Sequence, residues 1–384
     1  MAFSCVATCS RGLEVALAAE LSNLGLASEP GRGAVHFHAS FADLVRANLW
    51  LRTAMRVLVF LREGPCASRG ELYALAKAFP WEDYLARNAT VAVQVAGRNP
   101  AFANTHFATL VVKDGLVDRL RERRGWRPSV DLQNPSLRVV LHLQPERASL
   151  YLDSSGEPLS HRGYRQKDAL APLSECLAAG MLLLAGYDGT QALCDPMCGS
   201  GTILVEAALM AFRRPPGWQR RFAFESWPFA DPAALASVRE ESLARQGQPP
   251  APICGRDISP EALASARRAL RTAGVERWVR VEQGDVRELP PMPAGSLIVS
   301  NPPYGLRVGE ERELAELYRG IGDAVKKNAA GSTLWLLLGN RRLARQLGLR
   351  PAQRFELYNG PVRCEFCAYP VVAGTFAAKT TGSC

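Results

Sequence analysis

Histidine is scarce in this chain, five in 384 residues. His36, His38, His106, His142 and His161 show no ligand spacing, and His36 and His38 share a strand face, which suits packing. The single Cys-x-x-Cys, Cys364 and Cys367, has no second pair or nearby histidine with the spacing of a zinc centre. We therefore expect no metal, and both thiols in a buried strand. The ten cysteines are scattered, as befits reduced thiols in a cytosolic protein. No apolar run approaches the roughly 20 residues of a bilayer-spanning helix, so no membrane partner is expected. The first 20 residues lack a basic start and a continuous apolar core, and Arg11 and Glu14 interrupt them, so no secretory leader is expected. The expected location is cytoplasmic.

What is present is an ordinary globular composition, 47% hydrophobic and 22% charged, with a net charge of +9. The length implies two or three domains. A basic excess favours a polyanionic partner. It is densest early: residues 1–165 hold 20 Lys and Arg against 15 Asp and Glu. The run "RLRERRGWR" places Arg119, Arg121, Arg123, Arg124 and Arg127 around Trp126. Arginines can neutralise phosphates and a Trp can stack on a base, although a solvated helix end explains the run equally well.

The first 63 residues read β-α-β-β-α-β, the order of a ferredoxin-like unit. Leu13, Leu17, Leu21 and Leu24 have helical spacing, and "AVHFHA" alternates as a strand. The next hundred residues form a small α+β region. Its long helix, "NTHFATLVVKDGLVDRLRERRG", carries Phe107, Leu110, Val111, Val117 and Leu120 on its expected buried face. Polar residues 154–168 read as a linker. The expected boundaries are 1–58 for the ferredoxin-like piece, 59–155 for the second domain, 156–167 for the linker and 168–384 for the last domain. That last part alternates strand and helix, the pattern of a doubly wound α/β sheet, whose ligands bind at the carboxyl ends of the strands. Residues 211–252, with "RRPPGWQRRFAFESWPF", look like an RNA-facing insertion.

Four motifs fall at those strand ends. "LCDPMCGSGTILVEAALM" runs from a strand ending at Asp195 through Gly199 and Gly201 into a helix. The glycines allow a tight turn and close backbone approach. The third glycine of a dinucleotide fingerprint is absent, and a carboxylate before the loop suits an ammonium better than a pyrophosphate. "CGRDIS" puts Asp257 where ribose hydroxyls could donate to it, with Ser259 a helix cap ahead of Pro260. Asp257 could instead be the cap. "EQGDVREL" ends at Asp285, placed either to accept from an adenine amine or simply to close a turn.

The fourth motif is "SNPPYG". Prolines cannot extend a sheet ladder, so the strand stops there. The Asn301 side-chain oxygen and the Pro302 carbonyl are two stiffly held acceptors, and Pro303 adds to the stiffness. Together they can grip the two hydrogens of an exocyclic amine while Tyr304 stacks on the base that carries it. Fixed carbonyl dipoles favour the positive charge that methylation develops on that nitrogen.

"DPMCGSGT" followed by "NPPYG" resembles the amino-directed, S-adenosylmethionine-dependent methyltransferases of RNA. The N-terminal part resembles a ferredoxin-like piece plus a THUMP domain, an RNA-binding module. "RGLEVALAAELSNLG", "GAVHF", "VKDGLVD", "HRGYR", "APLSECLAA", "LYRGIGDAVKK" and "NGPVRC" are similar in order and spacing to the bacterial guanine-N2 methyltransferases of 23S ribosomal RNA. The similarity covers about residues 3–371, and the tail "TFAAKTTGSC" is expected to be disordered. In many bacteria that activity is the first half of a fused chain, and these residues are expected to correspond to that half and not to the guanine-N7 half. The resemblance implies a Rossmann-like methyltransferase domain behind the RNA-binding region. It implies S-adenosylmethionine held by Asp195, Pro196, Cys198, Gly199, Gly201, Asp257, Ile258, Asp285, Val286 and Asn301. Asn301, Pro302, Pro303 and Tyr304 would hold the flipped-out guanine. Lys113, Arg121, Arg123, Arg124 and Arg127 would contact RNA, and a large-subunit assembly precursor would be the substrate. One departure is Ser174, where the family usually carries Lys or Arg.

Other readings use the same residues. The substrate could be tRNA, or a DNA adenine or protein glutamine amine. A non-catalytic ribosome-assembly factor belongs to another class, and cofactor binding separates it from the rest.

Overall fold

The computed structural model describes residues 2–164, 173–305 and 311–372. The expected linker's residues 165–167 and the tail from Thr375 lie outside them. Contacts divide the chain into two compact units: Met1–Arg162 with Pro215–Arg245, and Gly163–Arg214 with Gln246–Cys384.

The first unit holds strands β1 (Phe3–Cys9), β2 (Ser28–Pro30), β3 (Ala34–Ala39), β4 (Ala54–Pro65), β5 (Thr90–Gly97), β6 (Ser129–Val130), β7 (Leu137–Leu143) and β8 (Arg147–Asp153). Helices Glu14–Asn23 and Phe41–Trp50 complete the β-α-β-β-α-β order. Leu13, Leu17 and Leu21 are fully buried, as their spacing requires. One sheet runs through the unit in the order β2-β3-β1-β4-β8-β7-β5-β6. Its continuity rests on β4, twelve residues long, which pairs with β1 and also with β8.

Two expectations change in this unit. Helix Thr105–Arg124 buries Ala108, Val111, Val112, Gly115, Leu116 and Leu120, while Phe107 and Leu110 are about 40% exposed. The buried stripe centres on Gly115. A Cβ there would lie 2.8 Å from the Tyr73 carbonyl oxygen, so glycine lets helix Arg69–Lys77 approach closely. A count of large apolar residues overlooks such a contact. The second change concerns the insertion. Phe222, Phe224 and Trp227 are core residues of the unit. Gly217 N donates to Leu49 O at 3.0 Å, Phe224 N to Ser154 O at 3.2 Å, and Trp50 Nε1 to Ser242 Oγ at 2.9 Å. Arg220 donates to the carbonyls of Pro158 and Glu157. These aromatics and Arg220 are engaged in packing, so they are not RNA-facing.

The second unit holds β9 (Leu193–Asp195), β10 (Ile253–Asp257), β11 (Val279–Gln283), β12 (Leu297–Ser300), β13 (Thr333–Leu338), β14 (Gln353–Asn359) and β15 (Val362–Pro370), in the order β11-β10-β9-β12-β13-β15-β14. The pairings from β11 to β13 are parallel, and β15 is antiparallel to both neighbours. The sheet is thus mixed, an α/β methyltransferase fold with a terminal hairpin. Cys364 and Cys367 are buried in β15. On one face Cys194, Ile298, Leu334 and Leu336 pack with Tyr318, Ile321 and Val325 of helix Glu311–Asn328. Ser174 caps helix Glu175–Leu184, its Oγ accepting from Leu177 N at 3.2 Å. Among the described residues no helix is long and apolar enough to cross a membrane.

Candidate active site

The chain leaves β9 toward β10 and β11 on one side of the sheet, and β12 and β13 lie on the other. The strand order therefore reverses between β9 and β12, and a doubly wound sheet opens its ligand crevice at such a reversal. Register fixes what meets there. Asp195 lies level with Gly255, and Ile298 with Cys194, so Asp195, Asp257, Ser300 and Asn301 gather at the carboxyl ends of three adjacent strands, β9, β10 and β12. Asp285 follows the end of β11, two residues beyond Gln283.

Asp195 is 2% exposed. Its Oδ1 accepts from Ser300 Oγ at 2.6 Å and from Met197 N at 3.3 Å. Burial dominates over these bonds and, with a smaller push from the Asp257 charge, raises its pKa to about 7. Beyond it, buried Pro196 and Cys198 carry the chain into the glycine loop. Cys198 N donates to Arg256 O, and Gly199 N to Asp257 Oδ2, both at 2.8 Å. Gly199 has φ +53°, and a Cβ there would meet nothing within 4 Å, so its backbone faces open space. Gly201 has φ +82° and stands in a crowded place instead: a Cβ would lie 2.9 Å from that of Ala266.

The loop and the second acidic strand end are thus one structure. Asp257 holds Gly199 through Oδ2 and caps the turn by accepting from Ser259 N at 3.0 Å through Oδ1. Ser259 Oγ accepts from Ala262 N, so Ser259 is the helix cap. Next to Asp257 stands Ile258, an aliphatic side chain 65% exposed. Asp285 is half-buried and its oxygens accept from Arg287 Nε at 3.0 and 2.9 Å. The Arg287 guanidinium holds its pKa below the ordinary aspartate value. Val286 beside it is buried. Carboxylates at successive strand ends, with an open glycine backbone between them, suit an ammonium and hydroxyl groups better than a pyrophosphate.

The Asn301–Tyr304 segment is held from several directions. Tyr304 OH donates to Asn301 Oδ1 at 2.5 Å and accepts from Asn359 Nδ2 at 3.2 Å. Burial raises the Tyr304 ionisation far above the ordinary tyrosine value, so the group is a neutral donor. Its ring lies on Gly339, where a Cβ would be 2.6 Å from Tyr304 Cγ. Pro302 is buried and Pro303 exposed, and the Pro303 carbonyl accepts from Tyr318 OH at 3.1 Å. Ser300, Tyr318 and Asn359 carry no signal of their own in the sequence, because only the fold brings them to Asp195, Pro303 and Tyr304.

The basic residues of the first unit divide. Lys113, Arg121 and Arg127 line one groove of about 280 Å³ with Arg69, Tyr73 and Asp118. Arg123 and Arg124 are exposed on the same helix outside that lining. Arg119 is committed to Glu82 by a two-pronged contact at 3.0 and 2.6 Å.

Comparison with known proteins agrees with this architecture. Residues 162–367 match the RMKL-like methyltransferase domain, 66–153 the THUMP domain, and 4–58 the RlmL ferredoxin-like domain. The "Ribosomal RNA large subunit methyltransferase K/L" of Pseudomonas paraeruginosa is 38% identical over 98% of this chain and 54% of its own length. That of Syntrophotalea carbinolica is 37% identical over 96% and 54%. The chain thus spans about half the length of these relatives. The crystal structure of SMU.472 in complex with SAH has TM-score 0.90 at 27% identity, covering 97% of this chain and 99% of that one. A Listeria monocytogenes protein described as a predicted N6-adenine-specific DNA methylase has TM-score 0.87 at 28% identity, covering 97% of each. With the family match extending over more than half its residues, the chain belongs to the RMKL-like methyltransferase-domain family, here behind a ferredoxin-like piece and a THUMP domain.

Proposed function

We propose that this chain transfers a methyl group from S-adenosylmethionine to the exocyclic N2 amine of a guanine in 23S ribosomal RNA. The observation that carries the reading is the convergence of Asp195, Asp257 and the Asn301–Tyr304 segment at the switch point, with Asp285 following the end of β11. Supporting it are the names of the relatives and the SAH held by a structural neighbour. The expected domain boundaries near residues 58 and 155 belong to the same proposal.

S-Adenosylmethionine, when bound, supplies an electrophilic methyl group on a sulfonium. The residues of the chain position and stabilise. Asp195 takes the ammonium, and the backbone from Pro196 through Cys198, Gly199 and Gly201 lines the methionine end. Asp257 accepts from the ribose hydroxyls, and Ile258 and Val286 border the adenine, whose amine donates to Asp285. Asn301 Oδ1 and the Pro302 carbonyl accept the two hydrogens of the guanine amine, with Pro303 keeping them stiff and Tyr304 providing the aromatic surface for the flipped base. No strong base is needed before attack, because the charge that develops on the nitrogen is met by acceptors already in place. Alignment supplies much of the rate. Lys113, Arg121, Arg123, Arg124 and Arg127 contact phosphates of an RNA assembly precursor in the cytoplasm.

The Listeria name favours a second reading, methylation of a DNA adenine, because Asn-Pro-Pro-Tyr can grip that amine too. The THUMP and RlmL-type matches favour RNA. The two separate when radiolabelled S-adenosylmethionine is offered with undermethylated 23S RNA, tRNA or duplex DNA. Label in 23S RNA is expected. Label in DNA alone would move the assignment to the second reading, and label in tRNA alone would keep the reaction and change the substrate.

A further inference from the structure

Ser300 sits where the two halves of the site meet. It is the last residue of β12, fully buried, and the next residue is Asn301. Its hydroxyl donates across the strand reversal to Asp195 Oδ1 at 2.6 Å, and Met197 N donates to the same oxygen. Both bonds fall on Oδ1, which leaves Oδ2 as the acceptor edge for a ligand. We propose that Ser300 is a positioning residue for the cofactor's ammonium group: its hydroxyl keeps Asp195 a charged, one-sided acceptor and ties it to the loop that presents the target base. The inference rests on the cofactor reading above.

The electrostatics around Asp195 make that hydroxyl consequential. The carboxyl is buried, and the charge facing it, Asp257 at the end of β10, has its own sign. Among the described residues, the groups that feel the Asp195 charge are the thiols of Cys194 on the same strand, Cys254 on β10 and Cys198 in the loop, and the Arg256 and Arg267 guanidinium groups act on those thiols with the opposite sign. Against burial and Asp257, the named bonds that favour the carboxylate are those from Ser300 and Met197. A hydrogen bond to the charged form lowers a pKa, and its removal raises it. With the carboxyl already titrating near 7, loss of the Ser300 bond shifts Asp195 toward its neutral form at working pH. A neutral carboxyl binds an ammonium poorly.

The test measures S-adenosylhomocysteine affinity of the full chain by calorimetry between pH 6 and 8.5, for the wild type, Ser300→Ala, Ser300→Cys and Ser300→Thr. Wild-type affinity should fall as pH drops below about 7. Ser300→Ala and Ser300→Cys should move that fall upward by about one pH unit, weakening binding about fivefold at pH 7 and approaching the wild type by pH 8.5. Ser300→Thr, which keeps the hydroxyl, should follow the wild type. An unchanged profile in Ser300→Ala and Ser300→Cys, or a loss equal at every pH, would overturn the proposal. Absence of wild-type binding at every pH is a different result, since it removes the cofactor reading itself.

Discussion

Asn301 is the residue on which the proposed chemistry turns. Its side-chain oxygen is held at the switch point by Tyr304 OH, and no other side chain of the motif offers a carbonyl. Asn301→Ala should lower kcat by about 10²- to 10³-fold, the scale of losing a pre-positioned dipole, while the cofactor Kd stays within about twofold. Single-turnover transfer and calorimetry on one preparation check both, and retained turnover would sink the role. Asp195 gives a prediction of opposite character. Its folded-state pKa near 7 exceeds the value of about 3.9 in an unfolded chain. Between those values the folded state binds the extra proton, so this group makes stability fall as pH rises from about 4 to 7. Asp195→Asn should therefore stabilise the fold at pH 8 by up to about 4 kcal/mol, read as a higher melting temperature, leave stability unchanged near pH 4, and abolish cofactor binding. An equal shift at both pH values would show that the carboxylate charge is not the cause.

Elements hold these residues through contacts that are local in space and remote in sequence. Helix Glu311–Asn328 brings Tyr318 to the Pro303 carbonyl, and the β14–β15 hairpin brings Asn359 to Tyr304 OH. Tyr318→Phe removes one bond to the loop and leaves its ring in the core. It should reduce kcat about tenfold, the scale of a loosened positioning contact, with cofactor affinity unchanged. Parallel loss of kcat and cofactor affinity would mean that Tyr318 serves the core alone. These anchors mark the limit of what the sequence discloses. Strand ends at Asp195, Asp257 and Asn301 are legible, because apolar runs stop at an acid or a proline. The glycine loop is legible too, since Gly199 and Gly201 need positive φ. Ser300 looks like the end of a strand, and only register reveals its partner 105 residues away. Helix Thr105–Arg124 shows the same limit from the other side, because Gly115 carries no apolar signal yet sets the buried face.

At the scale of the whole molecule, the THUMP match holds 12 Lys and Arg against 9 Asp and Glu, so the local arrangement of its basic residues matters more than its net charge. Lys113, Arg121 and Arg127 share a groove with Asp114 and Asp118, where Lys113 pairs with Asp114 at 2.9 Å, whereas Arg119 is neutralised by Glu82. Arg121→Glu with Arg127→Glu should weaken RNA binding more than Arg123→Glu with Arg124→Glu. Each lost phosphate contact should flatten the slope of log affinity against log salt by about 0.7 to 0.9. Filter binding across a salt series checks this, and equal slopes for both pairs would assign the groove no special part. Phe222, Phe224 and Trp227 looked like nucleic-acid contacts by composition, but an aromatic–arginine stretch is also how a returning segment packs onto a sheet-based core, and burial decides between the two. The proposed site residues serve one choice, which amine receives the methyl group. Digestion of the labelled RNA product to nucleosides, followed by mass spectrometry, tests it directly. N2-methylguanosine from 23S RNA is expected. Label recovered as N6-methyladenosine, or as guanosine methylated at another position, would contradict it.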